Sequence, residues 1–193
     1  IGVTGVNQKL RIMAVKGFKN DGTGDEAALM QTIYYAANNG ARVVNCSWGR
    51  TGSPTQAMVD AMNYAKKQGT LVVIAAGNNT MDTAGFTPAN IPGVVAVAAT
   101  DKTDQIATFS NLGLRVDLAA PGGKGFDNYG VMSDGILSTV TADAGLYGQE
   151  IGTSMAAPFV AGLAGLVLSV NPNLGPDAVF KILKDGADTI HVT

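Results

Sequence analysis

The amino-acid sequence predicts an α/β fold, a doubly wound parallel sheet with helices on both faces. Two observations lead to this fold class. Short apolar segments alternate with segments of helical spacing, and the apolar segments lack a polar face, as strands buried on both sides do. The 193 residues suffice for one sizeable core, and no repeat or low-complexity linker divides them. We therefore predict one domain over residues 1–193.

The predicted elements follow one another as strand–helix units. Runs rich in β-branched and other apolar residues predict strands at 10–15, 42–47, 71–76, 94–99 and 116–120. Helical spacing ended by glycines predicts helices at 25–38, 55–67 and 176–184. A strand pair at 136–141 and 148–151 precedes a further apolar helix that reaches Val170. Sites in such sheets lie beyond the carboxyl ends of the strands, so the residues that follow each strand are the candidates.

Composition argues against several classes of function. The net charge is −2 and no basic cluster occurs, so we expect no nucleic-acid partner. The longest uncharged run, 151–174, contains Pro158, glycines and asparagines, so we expect a buried core helix and no membrane span. The first residues lack the basic and apolar pattern of a signal peptide. The single cysteine, Cys46, cannot form an internal disulfide and is expected to be a small buried hydrophobe.

The most informative segment is 152–162, Gly-Thr-Ser-Met-Ala-Ala-Pro-Phe-Val-Ala-Gly. It places Ser154 between a glycine turn and the start of a helix. A hydroxyl there lies beside unpaired backbone N–H groups and the positive end of the helix dipole. Such a serine is either a helix N-cap or a nucleophile whose negatively charged transition state needs hydrogen-bond donors.

This segment resembles the serine motif of the subtilisin-like serine proteases (subtilases), Gly-Thr-Ser-Met/Ala-Ala-x-Pro-x-Val-x-Gly, at every fixed place. The resemblance implies a serine endopeptidase that hydrolyses peptide bonds of a peptide or protein substrate through an acyl-enzyme. It implies that Ser154 is the acylated nucleophile and that Met155 is the oxidation-sensitive residue behind it. Pro158 is then the proline in the first turn of a central helix.

A second segment, Ala75-Ala76-Gly77-Asn78, follows a predicted strand and resembles the oxyanion segment of the same family. An acyl-transfer intermediate carries a negatively charged oxygen, which an Asn78 amide and the Ser154 backbone N–H are suited to hold. Removing one such donor typically costs about 3 kcal/mol of transition-state stabilisation. The resemblance also implies that Ala75, Ala76 and Gly77 contact the substrate.

The pocket for the residue before the scissile bond is indicated by two further segments. Ser47, Trp48 and Gly49 resemble the family's segment that lines one wall of this pocket. Residues 87–89, Thr-Pro-Ala, resemble its Tyr-Pro-Ala/Gly segment, in which the proline is often cis. A threonine replaces the usual tyrosine, and Phe86 just before it is expected to narrow the floor of the pocket.

A glycine-rich loop after the first predicted strand also corresponds to part of the substrate site. Gly22, Thr23 and Gly24 match the edge with which an extended peptide pairs, and exposed backbone without bulky side chains suits the addition of a substrate strand. Without the resemblance, these residues and those of the pocket wall are ordinary turn residues.

The sequence lacks a recognisable base for the serine, which acyl transfer requires together with a group that orients the base. Subtilases carry Asp, then His, then Ser, but the one histidine here, His191, follows the serine. The first residues resemble the stretch just downstream of the family's histidine helix. The resemblance thus covers roughly the C-terminal two-thirds of the catalytic domain. We expect a partner, an N-terminal fragment with the Asp and His of a nicked enzyme; without it the chain is expected to be inactive.

Three alternatives remain at this point. The first is a truncated fragment or pseudoenzyme that is inactive and acts as a structural or oligomer-forming domain. The second is an α/β-hydrolase order of Ser154, Asp177 or Asp188, and His191, which Ala156 disfavours because it replaces the last glycine of Gly-x-Ser-x-Gly. The third is a sedolisin-like peptidase, which carries Asp where this chain has an asparagine at position 78.

No cluster of metal-ligating residues has ligand spacing, so we expect no cofactor for catalysis and no metal site formed by side chains. The family implies structural calcium in the full enzyme, for which the carbonyls of Ile1 and Val3 would be remnants of a calcium loop. A second, weak cation site would use carbonyls near Ala89. The family also implies secretion.

Overall fold

The computed structural model describes residues 2–127 and 130–190. The helices in these ranges are α1 (Glu26–Asn38), α2 (Gln56–Lys67), α3 (Thr153–Val170) and α4 (Pro176–Asp185). The strands are β1 (Val43–Cys46), β2 (Arg50–Thr51), β3 (Leu71–Ala75), β4 (Phe86–Thr87), β5 (Val95–Thr100), β6 (Leu118–Pro121), β7 (Gly125–Phe126), β8 (Met132–Ser133), β9 (Ile136–Thr139) and β10 (Tyr147–Glu150).

The central sheet has the strand order β1-β3-β5-β6, and all three pairings are parallel. Every residue of β3 and β5 is buried, as the continuous apolar runs predict. Three antiparallel pairs accompany this sheet: β2 with β4, β7 with β8, and β9 with β10. The last pair confirms the predicted strand pair before the serine segment.

Helices cover both faces of the sheet, so the predicted doubly wound fold is confirmed. Alternate residues of β3 point to opposite faces and therefore enter two separate cores. Val72 and Ile74 pack in the core that contains α1 and α2, whereas Val73 and Ala75 pack in the core that contains α3 and α4. This is the pattern of a strand buried on both sides, and it explains why no polar face was visible in the sequence.

Residues 10–15 do not form the predicted strand. A strand needs a hydrogen-bonded neighbour, but among the described residues β1 pairs only with β3. The segment lies instead against α3: a Cβ atom placed on Gly165 would be 2.3 Å from Leu10 Cδ1. Ile12 in the same segment is 91% exposed. The apolar run is present in the sequence, but these residues pair with no strand among the described residues.

Helix α3 packs with one face on the sheet, and its outer face is partly covered by the N-terminal segment. Ala156, Val160 and Ala164 belong to the core, whereas Leu163 is 46% exposed. The helix is long and apolar enough to cross a membrane by length and composition alone, and 39% of it is buried inside the protein. Its contacts with β1, β3, β5 and β6 make it a helix of the core, though not a fully buried one.

Candidate active site

Ser154 lies at the carboxyl end of the sheet, in the first turn of α3. The N-cap of this helix is Gly152, with φ of +147°, a conformation that favours glycine. The Gly152 N–H donates to the Gly122 carbonyl just after β6, at 2.8 Å. Gly152 rather than Ser154 therefore occupies the cap position, and the interpretation of Ser154 as a simple N-cap is wrong.

The hydroxyl of Ser154 is turned towards the end of β1. Ser154 Oγ donates to the Ser47 carbonyl at 3.3 Å, and Ser47 Oγ donates to the Ser154 carbonyl at 2.8 Å. This reciprocal pair joins two residues that are far apart in the sequence. It fixes the start of α3 against the segment that follows β1, which begins with Ser47.

Asn78 follows β3, and its side chain is oriented by Thr153. Asn78 Oδ1 accepts hydrogen bonds from Thr153 N at 2.9 Å and from Thr153 Oγ1 at 2.8 Å. Thr153 Oγ1 in turn accepts from Gly77 N at 3.1 Å. Because the oxygen of the Asn78 amide is used in this way, its NH₂ group is directed away from Thr153.

Two hydrogen-bond donors converge beside Gly152. A Cβ atom placed on this glycine would lie 3.3 Å from Asn78 Nδ2 and 3.6 Å from Ser154 N. The Ser154 N–H is in the first helical turn, whose donors have no partner within the helix. An amide NH₂ group and a backbone N–H therefore flank one small space at the start of the helix that carries Ser154.

The segment that carries Asn78 is held from behind by Asn111, which is fully buried. Asn111 Nδ2 donates to the Ala76 carbonyl at 2.9 Å, and Asn111 Oδ1 accepts from Asn79 N and Met81 N at 2.9 and 3.2 Å. Gly77 has φ of +106°, and a Cβ atom there would lie 2.2 Å from Asn111 Nδ2. Only glycine fits at this position.

A cavity of about 180 Å³ adjoins Ser154. It is lined by Ser47, Trp48, Gly49, Ala75, Gly77, Asn78, Phe86, Thr153 and Ser154. The structure thus brings together residues that the sequence analysis took from four separate segments. The peptide bond between Thr87 and Pro88, next to Phe86, is cis.

Four of the predicted site residues do not line this cavity. Ala76 is fully buried behind it, where its carbonyl binds Asn111. Gly22, Thr23 and Gly24 form an exposed turn before α1, in which Lys19 N donates to the Thr23 carbonyl at 2.9 Å. Their role as an edge for an extended peptide stays a prediction.

The sequence alone did not reveal the parts played by Thr153 and Asn111. The signal for Thr153 was its place next to the serine in a turn where hydroxyls meet unpaired donors. Asn111 carries no such signal, because it stands in a loop more than 30 residues from Asn78 and is brought close only by the fold.

None of the described residues that line the cavity carries an imidazole, carboxylate or amine. Burial raises the pKa of the nearby Cys46 thiol to about 12, so this group is neutral at pH 7 and is no base. Asp177 forms an ion pair with Lys66 at 2.6 Å, and His191 lies outside the described residues. Ile1, predicted as a calcium-loop remnant, also lies outside them. No group of His, Cys, Asp or Glu suited to a metal occurs in the part of the chain that the structure describes.

The model of the subtilase family matches residues 1–191 of the chain. The chain is 41% identical over 172 residues to a thermophilic serine proteinase of Bacillus sp. (strain AK1). This alignment covers 89% of this chain and 39% of that protein. The chain is 42% identical over 150 residues to an extracellular protease of Xanthomonas campestris pv. campestris. This alignment covers 77% of this chain and 25% of that protein. The chain thus spans less than half the length of these two relatives.

The fold matches solved structures as well. A structure described as proteases from Pseudoalteromonas arctica PAMC 21717 superimposes with a TM-score of 0.89 and 36% identity, over 97% of this chain and 59% of that chain. Sequence and structure comparisons agree on the same family.

Proposed function

The chain belongs to the subtilase family of serine peptidases, and from this premise we propose that it supplies the nucleophile, oxyanion donors and pocket walls of a serine endopeptidase. The observation that carries the proposal is that Asn78 Nδ2 and the Ser154 N–H flank one space beside Gly152, and that Asn78 and Ser154 line the same cavity. A carbonyl oxygen that gains negative charge in this space receives two hydrogen bonds, from donors that need not reorganise during the reaction.

The reaction begins when Ser154 Oγ attacks the carbonyl carbon of the scissile peptide bond. Its proton passes to a base, and the carbonyl oxygen becomes an oxyanion held by Asn78 and the Ser154 N–H. The C–N bond then breaks, and the leaving amine takes the proton from the base. Water repeats the sequence on the resulting ester, which releases the carboxylic acid product and restores the Ser154 hydroxyl.

We propose that the base and the acid that orients it come from an N-terminal segment, the Asp and His segment of the family, bound to this chain as in a nicked enzyme. Two features support such a neighbour. The free edge of β1 has no strand beside it among the described residues, and free edges attract further strands. The outer face of α3 exposes Leu163 and Val170, at 46% and 87%. Apolar surface of this kind is typical of a contact area.

A second candidate function is that of an inactive structural or oligomer-forming domain. It is favoured by one observation, that the cavity lining among the described residues contains no base. In this case a second copy of the chain would cover the β1 edge. Size-exclusion chromatography with light scattering distinguishes the two, because a chain that remains a monomer when purified alone contradicts the pairing.

The test of the proteolytic function is labelling with a fluorophosphonate probe, combined with denaturing mass spectrometry of every polypeptide in the sample. We expect labelling of Ser154 when a polypeptide with a His-Gly-Thr-His segment accompanies the chain. Removal of the base lowers kcat by about a millionfold in enzymes of this type, so labelling by the chain alone is expected to be negligible. Ser154→Ala abolishes labelling, whereas Ser169→Ala, at the exposed end of the same helix, retains it. A folded, complete sample without labelling contradicts the proposal.

Further components follow from the same proposal. The substrate is a peptide or protein, and catalysis uses no cofactor. Structural calcium in the full enzyme remains part of the proposal, as does secretion, which is supported by the name of the extracellular Xanthomonas relative.

A further inference from the structure

Phe86 lines the cavity beside Ser154. This residue lies in β4, where it pairs with Thr51 of β2, and it is 8% exposed. Its ring belongs to the core that contains α1 and α2, and Trp48 packs against the same core. Phe86 is therefore held by packing on the protein side while it faces the cavity on the other side.

The two glycines of the cavity wall provide room for this ring. A Cβ atom placed on Gly49 would lie 2.4 Å from Phe86 Cε1 and 2.9 Å from Cζ. A Cβ atom on Gly77 would lie 3.0 Å from both Cδ atoms of the same ring. The space that the two glycines leave open is therefore occupied by a side chain of the protein itself.

The volume of the cavity beside Ser154 is small for a pocket that must hold part of a substrate. About 180 Å³ is below the range of roughly 300–1,000 Å³ that is common for ligand pockets. Part of it adjoins Ser154 and Asn78, where the scissile carbonyl group must lie. No charged side chain lines the cavity among the described residues, so a charged group placed in it would lose hydration without gaining a partner.

We propose that Phe86 determines specificity by restricting the residue before the scissile bond to small uncharged side chains, such as alanine, serine or glycine. This inference rests on the proposed function and adds a substrate class to it. An aromatic or long aliphatic residue at that position would have to displace the Phe86 ring from the core.

The experiment compares the active protease on two peptide p-nitroanilides that differ only in the last residue, alanine or phenylalanine. We expect kcat/KM to favour alanine by at least about tenfold, since a pocket discriminates roughly 10- to 200-fold for each excess methylene. Phe86→Gly opens the space beside the two glycines and reverses the preference. Phe180→Ala removes a partly buried ring of α4, in the other core, and keeps the preference for alanine. A wild-type enzyme that prefers phenylalanine, or a Phe86→Gly variant with an unchanged ratio, overturns the inference.

Two further measurements test the inference if Phe86→Gly does not fold or if no substrate is hydrolysed. If Phe86→Gly does not fold, Phe86→Leu shortens the ring and must raise the relative rate on phenylalanine. If no substrate is hydrolysed at all, the proposed function fails while the inference is still tested by binding. Product peptides that end in alanine or phenylalanine are then titrated into the Ser154→Ala protein and followed by NMR. Tighter binding of the alanine peptide supports the inference, and equal binding or a preference for phenylalanine overturns it.

Discussion

The two sides of the cavity beside Ser154 are built by different forces. On one side Asn78 is positioned by directional hydrogen bonds from Thr153, and Asn111 holds the backbone behind it. On the other side Phe86 and Gly49 meet through close apolar packing. The hydrogen-bonded side fixes a few donor atoms in place, which suits the stabilisation of charge. The packed side fixes a shape, which suits the selection of substrates.

The largest expected effect comes from a change on the hydrogen-bonded side of the cavity alone. Asn78→Ala removes one of the two proposed donors to the oxyanion and leaves the packed side intact, so kcat is expected to fall by about 100- to 1,000-fold with little change in KM. Steady-state kinetics of the active protease on one peptide substrate measure both constants. A rise in KM with unchanged kcat would show that Asn78 contributes to binding and not to the transition state.

Asn111, which holds the segment behind Asn78, is expected to contribute to the stability of the fold as well as to the rate of the reaction. Asn111→Ala leaves the buried Ala76 carbonyl without a partner, so the free energy of unfolding is expected to fall by about 2–3 kcal/mol. The control is Asn173→Ala, a change in the exposed loop before α4, for which we expect a change within about 0.5 kcal/mol. Urea denaturation measures both variants. Equal midpoints for the two would contradict the structural role of Asn111.

A finer test concerns the hydroxyl that orients Asn78. Thr153→Val removes the bond from Thr153 Oγ1 to Asn78 Oδ1 and also the bond that Thr153 Oγ1 accepts from Gly77 N, while it leaves the shape of the packed side nearly unchanged. We expect kcat to fall by about five- to tenfold because Asn78 loses one hydrogen bond, and the free energy of unfolding to fall as well because Gly77 N loses its acceptor. Thr153→Ser keeps the hydroxyl and should retain most of the activity. If Val and Ser variants behave alike, the hydroxyl does not orient the asparagine.

The smallest effect concerns acid stability at the end of β5. Asp101 is buried, which raises its pKa, but hydrogen bonds from Thr103 and Gln105 outweigh this and lower the pKa below its ordinary value of 3.8. The stabilising contribution is therefore complete above that value and disappears as the pH falls through the lower pKa of the folded state. Urea midpoints of the wild type and Asp101→Asn should differ above about pH 4 and converge at lower pH. A difference that grows on acidification would contradict this.

Sequence patterns predicted the central sheet well, because strands that are buried on both faces, such as β3 and β5, consist of continuous apolar runs. They failed at residues 10–15, since an apolar run forms a strand only where a neighbouring strand is present to pair with it. Of the site, the residues in local motifs, Ser154 and Asn78, were visible in the sequence. Asn111 was not, because its role depends on a contact between loops that are distant in the chain. Phe86 was expected at the floor of the pocket, but only the geometry of Gly49 and Gly77 shows how far its ring fills the space.

The hydrogen bonds that tie Thr153 and Ser154 to their surroundings also have a temporal consequence. The bond from Thr153 to Asn78 and the bond between Ser47 and Ser154 bridge 75 and 107 positions of the chain, so closing them requires large loops to be ordered first. While the polypeptide is being synthesised, α3 emerges long after the segments that it must meet. Ser154 and Asn78 therefore cannot face one another until the chain between them has been made and ordered. A partly made chain carries Asn78 without Ser154, so the proposed site is assembled only late in synthesis.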